Sequence, residues 1–194
     1  MPAASDSTRE ALLNAARELA QTRGYNAFSF RDLSDLIGVK TASIHYHFPT
    51  KADLGRELVI RYREQLAELT RQIDARTSDP GERLDRFIAI LRTGLKKGTR
   101  MCLGGMFGAE YSTLPGPVQS EVRTFFEGCE SWLVNVLAAG RESGRFRFEG
   151  NPEQAAQALF ASLEGAMMTA RAFHDESRFV TAADLATRAL SNHE

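Results

Sequence analysis

Cysteine is scarce in this chain of 194 residues: there are two, Cys102 and Cys129, far apart in sequence. Neither the close spacing of a metal-binding pair nor the dense pattern of a disulfide framework is present, so no metal and no structural disulfide is expected. Also missing is any apolar run near the roughly 20 residues that a membrane span requires. No charge sign dominates, with 24 Lys and Arg against 25 Asp and Glu, and residues 1–77 hold 11 basic side chains against 10 acidic ones. A bulk basic field of the kind that marks non-specific nucleic-acid binders is therefore absent, and any case for DNA must rest on local pattern. Met1-Pro2-Ala3-Ala4-Ser5-Asp6 has neither the basic start nor the apolar stretch of a secretory signal, so a cytoplasmic location is expected. What remains is an ordinary globular composition, 43% hydrophobic and 25% charged, in a chain long enough for a small domain joined to a larger one.

Nearly every segment reads with a helical period. Leu12, Leu13, Ala16, Leu19 and Ala20 recur at three- and four-residue steps, which places them on one face of a helix over about 8–23, stopped by Gly24. Ser29 and Asp32 have capping-box spacing, and Leu33, Leu36 and Ile37 give the next short helix an apolar face before Gly38 ends it. A third short helix over about 41–48 carries Ile44 and Phe48. Thr50 and Asp53 then open a long helix bearing Leu54, Leu58, Tyr62, Leu66 and Leu69. Asp79-Pro80 and Asn151-Pro152 each combine an N-cap with a proline suited to the first helical position. The last helix is expected to start at Thr181, with Asp184 as its reciprocal cap. Nine helices and no strand make the fold class all-α.

The spacing within residues 8–48 has functional content. Two short helices joined by a tight glycine-containing turn bury little surface alone, and form a helix-turn-helix when a preceding helix covers their apolar faces. The second short helix must then offer polar groups to a major groove while its apolar residues hold it to the scaffold. Lys40, Thr41, Ser43, His45, Tyr46 and His47 surround the anchors Ile44 and Phe48 in that way. His47 and Tyr46 can equally be read as partly buried scaffold.

Gly24-Tyr25, Phe30-Arg31-Asp32-Leu33, Gly38-Val39-Lys40 and Ser43-Ile44-His45-Tyr46-His47-Phe48, followed by Lys51-Ala52-Asp53-Leu54, resemble the TetR family of repressors. Lys40 stands where that family usually has a small hydroxyl residue, and His45 where it commonly has tyrosine. The resemblance implies a helix-turn-helix DNA-binding domain over 1–50, a connecting helix over 51–77, and a ligand-sensing and dimerisation domain over 78–194. It implies Lys40, Thr41, Ser43, His45, Tyr46 and His47 on the recognition helix, with Lys51 facing phosphate. The expected partners are double-stranded operator DNA, a second copy of the chain, and a small-molecule inducer or an electrophile or oxidant; no membrane and no cofactor are expected.

The same resemblance implies a cavity among the later helices, with Met106, Phe107, Phe126, Trp132 and Met168 as candidate walls. Glu110, Tyr111, Glu164 and Arg171 are polar candidates, each also readable as a surface or interface salt bridge. The stretch from Met101 to Glu110 is similar to a branch of the family in which a cysteine at this place accompanies electrophile or oxidant sensing. Lys96, Lys97 and Arg100 are basic neighbours able to favour a thiolate at Cys102, although a free cysteine is also an ordinary small buried hydrophobe. Small residues crowd the last two helices, where they can simply cover the core of one chain; the resemblance makes Leu159, Ser162, Gly165, Ala166, Leu185 and Ala189 the expected two-fold interface. Two other classes compete. An all-helical enzyme with Cys102 as nucleophile needs a base, and local sequence places none of His45, His47, His174 or His193 beside it; a non-regulatory architectural DNA binder needs positive charge that is missing. No catalytic residues are therefore expected.

Overall fold

The computed structural model describes residues 4–96 and 100–191. Among them are nine α-helices and no strand: α1 Ala4–Arg23, α2 Phe30–Ile37, α3 Thr41–His47, α4 Lys51–Arg76, α5 Pro80–Lys96, α6 Leu103–Ala109, α7 Gly116–Glu142, α8 Pro152–Ala172 and α9 Glu176–Ala189. No helix among the described residues is long and apolar enough to cross a membrane. The chain divides into two compact units. One holds the chain up to Arg63 together with Leu103–Phe125, and the other holds Glu64–Cys102 together with Phe126–Glu194.

In the first unit, the periodic face of α1 is its buried face: Leu12, Leu13, Ala16, Leu19 and Ala20 are all covered. Local chemistry sets the ends of α2. Ser29 Oγ accepts the Asp32 N–H, while Asp32 Oδ2 accepts the Ser29 N–H at 2.7 Å, which satisfies two of the orphan donors of the first turn. The Ser29 hydrogen bonds hold the Asp32 carboxyl below its ordinary range. Gly38 closes the helix at φ +71°, a left-handed conformation that side chains resist, and its N–H donates to the Ser34 carbonyl at 3.0 Å. That turn delivers α3 with Ile44 fully covered and Phe48 nearly so. Each such side chain contributes about 1.5–3 kcal/mol by leaving water. Thr50 and Asp53 cap α4 reciprocally, as their spacing implies. Gly104 in α6 lies against the Phe125 ring, which fills the space that a Cβ would take.

The second unit is built on α5, α8 and α9 with the later parts of α4 and α7. Asp79 Oδ1 accepts the N–H groups of Gly81 and Glu82 at 2.7 and 3.1 Å, which fixes the start of α5 at Pro80. Asn151 and Gln154 form the capping box of α8. The ring of Trp132 stacks on Phe87 with centroids 5.2 Å apart, and its indole N–H donates to Asp74 Oδ2 at 3.0 Å. An Arg92–Glu176 ion pair joins α5 to α9.

The last helix departs from the sequence reading. It begins at Glu176 rather than Thr181, because Asp175 is its cap: the Asp175 carboxylate accepts the Ser177 N–H at 3.0 Å. Thr181 and Asp184 lie inside α9, where capping-box spacing has no end to cap. The turn before it is sharp enough to hold His174 at φ +51°.

Candidate functional site

The residues on and around α3 divide cleanly. Ile44 and Phe48 face the interior, and Arg9 lies over the Phe48 ring at 5.3 Å. Lys40, Thr41, His45 and Tyr46 are exposed, Tyr46 at 78%, while Ser43 and His47 are half-buried. An aromatic side chain left this open contributes little to packing. His45 stands edge-on to Phe30 at 4.9 Å, and its Nδ1 is 3.1 Å from the Pro49 carbonyl. A carbonyl only accepts, so Nδ1 is the donor in this contact. Tyr46 and His47 meet edge to face at 5.1 Å. Of the two residues open to a scaffold reading, Tyr46 is in water and His47 is part-covered.

Lys51, expected to face phosphate, is turned toward its own unit. Its ammonium donates to the Phe28 carbonyl and lies 4.6 Å from the Tyr25 ring centre and 4.7 Å from that of Phe28. Burial lowers its pKa, with Glu110 and Asp32 opposing that shift. Glu110, expected among sensing residues, belongs to the same unit. Its carboxylate accepts the backbone N–H groups of Tyr25 and Asn26 and the Asn26 side-chain amide. Met106 and Phe107 are also in this unit, and Phe107 is edge-on to Tyr25 at 5.4 Å. Tyr111 accepts from Arg123 at 3.2 Å.

The other sensing candidates lie in the second unit. Cys102 is buried, Phe126 packs edge-on against Phe160 at 6.0 Å, Trp132 is held by Phe87 and Asp74, and Met168 is exposed. Lys97 lies outside the described residues, as do the side chain of Lys96 and His193. Of the residues expected at a two-fold interface, Leu159 and Ala166 are already buried within the chain, while Ser162, Gly165, Leu185 and Ala189 are exposed. Among the described residues, no group of three or more His, Cys, Asp or Glu side chains is placed to hold a metal ion.

Glu164 is the residue whose role the sequence hid. It was open to a surface or interface salt bridge, yet both carboxylate oxygens are buried without a hydrogen-bond partner, and burial raises its pKa. A signal was available: Glu164 follows Phe160 by four residues and precedes Met167 by three, which puts it beside the buried stripe of α8. Cys129 is pushed up by burial first, then by Glu164 and Glu130.

Residues 12–58 match the model of bacterial regulatory proteins of the tetR family, and residues 80–186 match the tetracyclin repressor-like C-terminal domain. A crystal structure of a TetR-family transcriptional regulator from Agrobacterium tumefaciens superimposes with a TM-score of 0.94 at 32% identity, covering 97% of this chain and all of that one. The transcriptional repressor DhaR of Mycobacterium sp. (strain GP1) is 28% identical over 165 residues, 82% of this chain and 80% of its own length. The repressor NemR of Escherichia coli K12 is 29% identical over 173 residues, 84% of each chain. With both halves matched in order and the helices α1 to α4 carrying the motif, the chain belongs to the TetR family of bacterial regulatory proteins.

Proposed function

We propose that this chain is a ligand-responsive transcriptional repressor and not an enzyme, and that it binds a palindromic operator as a homodimer through α3. The observation that carries this reading is the division of α3: Ile44 and Phe48 hold it, His45 also braces Phe30 and the Pro49 carbonyl, and Lys40, Thr41 and Tyr46 are left exposed on its other face. A helix presented in that way fits a major groove, where Thr41, Ser43 and Tyr46 reach base edges or phosphates. One recognition helix per chain requires a two-fold partner for a palindrome, and the exposed small and apolar residues of α8 and α9 supply a surface for it. That relatives named as repressors align over four fifths of the chain supports repression.

Release from DNA is assigned to the second unit, either by a reversible small molecule or by modification of Cys102. The similarity of the Met101–Glu110 stretch to a branch of the family with a sensing cysteine supports Cys102 as a switch. A ligand releases the protein only if it binds the released state more tightly than the DNA-bound one.

The test is selection of operator fragments from genomic DNA by the purified protein, followed by binding titrations with Thr41→Ala and Tyr46→Ala. Both variants are expected to fold as the wild type does and to lose sequence discrimination, by about 1–3 kcal/mol for a lost base contact. Ile44→Ala, by contrast, is expected to cost about 2–5 kcal/mol of stability. Unchanged selectivity in both surface variants overturns the assignment of α3 as the reading helix.

A further inference from the structure

His45 is exposed in the last turn of α3. Phe30 of α2 meets its ring edge-on at 4.9 Å, and Nδ1 donates to the Pro49 carbonyl at 3.1 Å. Among the described residues that is its one hydrogen bond, so Nε2 is committed to nothing in the fold. While Nδ1 keeps this contact, the charge of the ring is expressed at Nε2 alone. That atom is a lone pair in the neutral ring and an N–H donor in the imidazolium.

The charged and titratable groups on the neighbouring elements are few, and several are already engaged. α2 carries Arg31, Asp32 and Asp35, of which Asp32 is the cap partner of Ser29. Lys40 precedes α3, and Tyr46 and His47 lie within it, with His47 against the Tyr46 and Phe48 rings. Beyond Pro49 the first acidic residue is Asp53, which accepts the N–H and the hydroxyl of Thr50. No ion pair reaches His45 among the described residues. A positive charge on the ring is therefore favoured by the carbonyl end of α3 and by whatever anion approaches from outside.

We propose, on the reading of α3 as the DNA-reading helix, that His45 contacts a backbone phosphate of the operator as the imidazolium, so that each chain takes up one proton on binding. The N-terminal residues of a recognition helix reach base edges, which leaves its last turn for the backbone at the edge of the groove. A phosphate oxygen only accepts. The neutral ring would offer it a lone pair, whereas the imidazolium offers an N–H and a positive charge while Nδ1 stays on the Pro49 carbonyl. The proton comes from solvent and one N–H bond is made. Histidine is the side chain that changes charge across neutrality, so the contact responds to pH in that range. Bound protein holds the proton more tightly than free protein, and affinity for the operator therefore rises as pH falls.

The experiment titrates the full-length protein with the operator fragment it selects, between about pH 6 and 8.5 and at several salt concentrations. Wild type, His45→Gln and His47→Gln are compared. Wild-type affinity is expected to rise toward acid pH by up to about tenfold per pH unit for each bound chain. The salt slope is expected to be steeper at the acid end by about 0.9 per chain, as one more phosphate is neutralised. The amide of His45→Gln donates at every pH, so this variant is expected to lose both effects, and His47→Gln to keep both. A wild-type affinity that is flat or falls on acidification overturns the proposal, and so does a pH dependence that survives unchanged in His45→Gln. A rise without any change in salt slope overturns the phosphate contact. If His45→Gln does not fold, the ¹⁵N chemical shift of His45 Nε2 in the wild-type complex decides, and an unprotonated nitrogen there overturns the proposal. Operator selection left unchanged by Thr41→Ala, Tyr46→Ala and His45→Gln removes α3 as the reading helix as well, whereas selection that depends on α3 but not on pH removes only the proton uptake.

Discussion

The Glu110 carboxylate receives the backbone N–H of Tyr25 at 2.5 Å, across 85 residues of sequence. Both residues belong to the first unit, and Asn26 adds its own backbone and side-chain N–H groups to the same carboxylate. The turn between α1 and α2 is thus tied down by the residue that follows α6. Glu110→Ala leaves the part-buried Tyr25 N–H unpaired and is expected to lower unfolding free energy by about 1–3 kcal/mol in a urea titration. Glu110→Gln keeps one acceptor oxygen and is expected to lose less.

Lys51 supplies a second prediction. With its ammonium on the Phe28 carbonyl and over two rings, Lys51→Ala is expected to lower stability while leaving the salt dependence of operator binding unchanged. Titrations at several salt concentrations decide this. A slope reduced by about one unit returns Lys51 to a phosphate contact made only on DNA.

The pH dependence of stability follows from Glu164. Burial raises its carboxyl above the ordinary range. Well below that range folded and unfolded chains both carry the proton, and burial has no titration cost. As pH climbs, the unfolded chain releases its proton first, so stability falls until pH passes the raised folded value and is level beyond it. Glu164→Gln has no such slope. Its Tm is expected to exceed that of the wild type at neutral pH, with the gap closing toward about pH 4. A gap that widens on acidification contradicts the shift.

Dimerisation is tested at positions that the single chain does not need. A Cβ added at Gly165 meets nothing within 4 Å, and Leu185 is 57% exposed. Gly165→Arg and Leu185→Glu are therefore expected to keep the helical circular dichroism spectrum while shifting sedimentation from dimer to monomer. Operator binding is expected to weaken with the loss of the two-fold pair. A dimer of undiminished stability in both variants moves the interface elsewhere.

What the sequence made legible was whatever a few neighbouring residues decide. The Ser29–Asp32 and Asn151–Gln154 boxes and the Gly38 stop involve partners within four residues, so periodicity and caps located α2, α3 and α8 directly. Thr181 and Asp184 mislead for the same reason: their spacing suits a cap, but Asp175 has already started the helix. Long-range pairing was invisible. Nothing near Glu110 announces Tyr25, because the pairing joins the turn after α1 to the residue after α6 and is made only in the fold. The family resemblance implies a phosphate contact for Lys51, while its inward turn depends on Tyr25 and Phe28 more than twenty residues earlier.

The division of α3 also bears on how such a protein is retargeted. Ile44 and Phe48 do the holding, and Thr41, His45 and Tyr46 stand in water. Substitutions on the outer set leave the inner set untouched, so operator preference can drift or be engineered through many intermediates that all still fold. His45 is the exception worth keeping, since its ring also braces Phe30 and the Pro49 carbonyl. A library that fixes Ile44, His45 and Phe48 and randomises Lys40, Thr41, Ser43 and Tyr46 samples new DNA preferences on one scaffold.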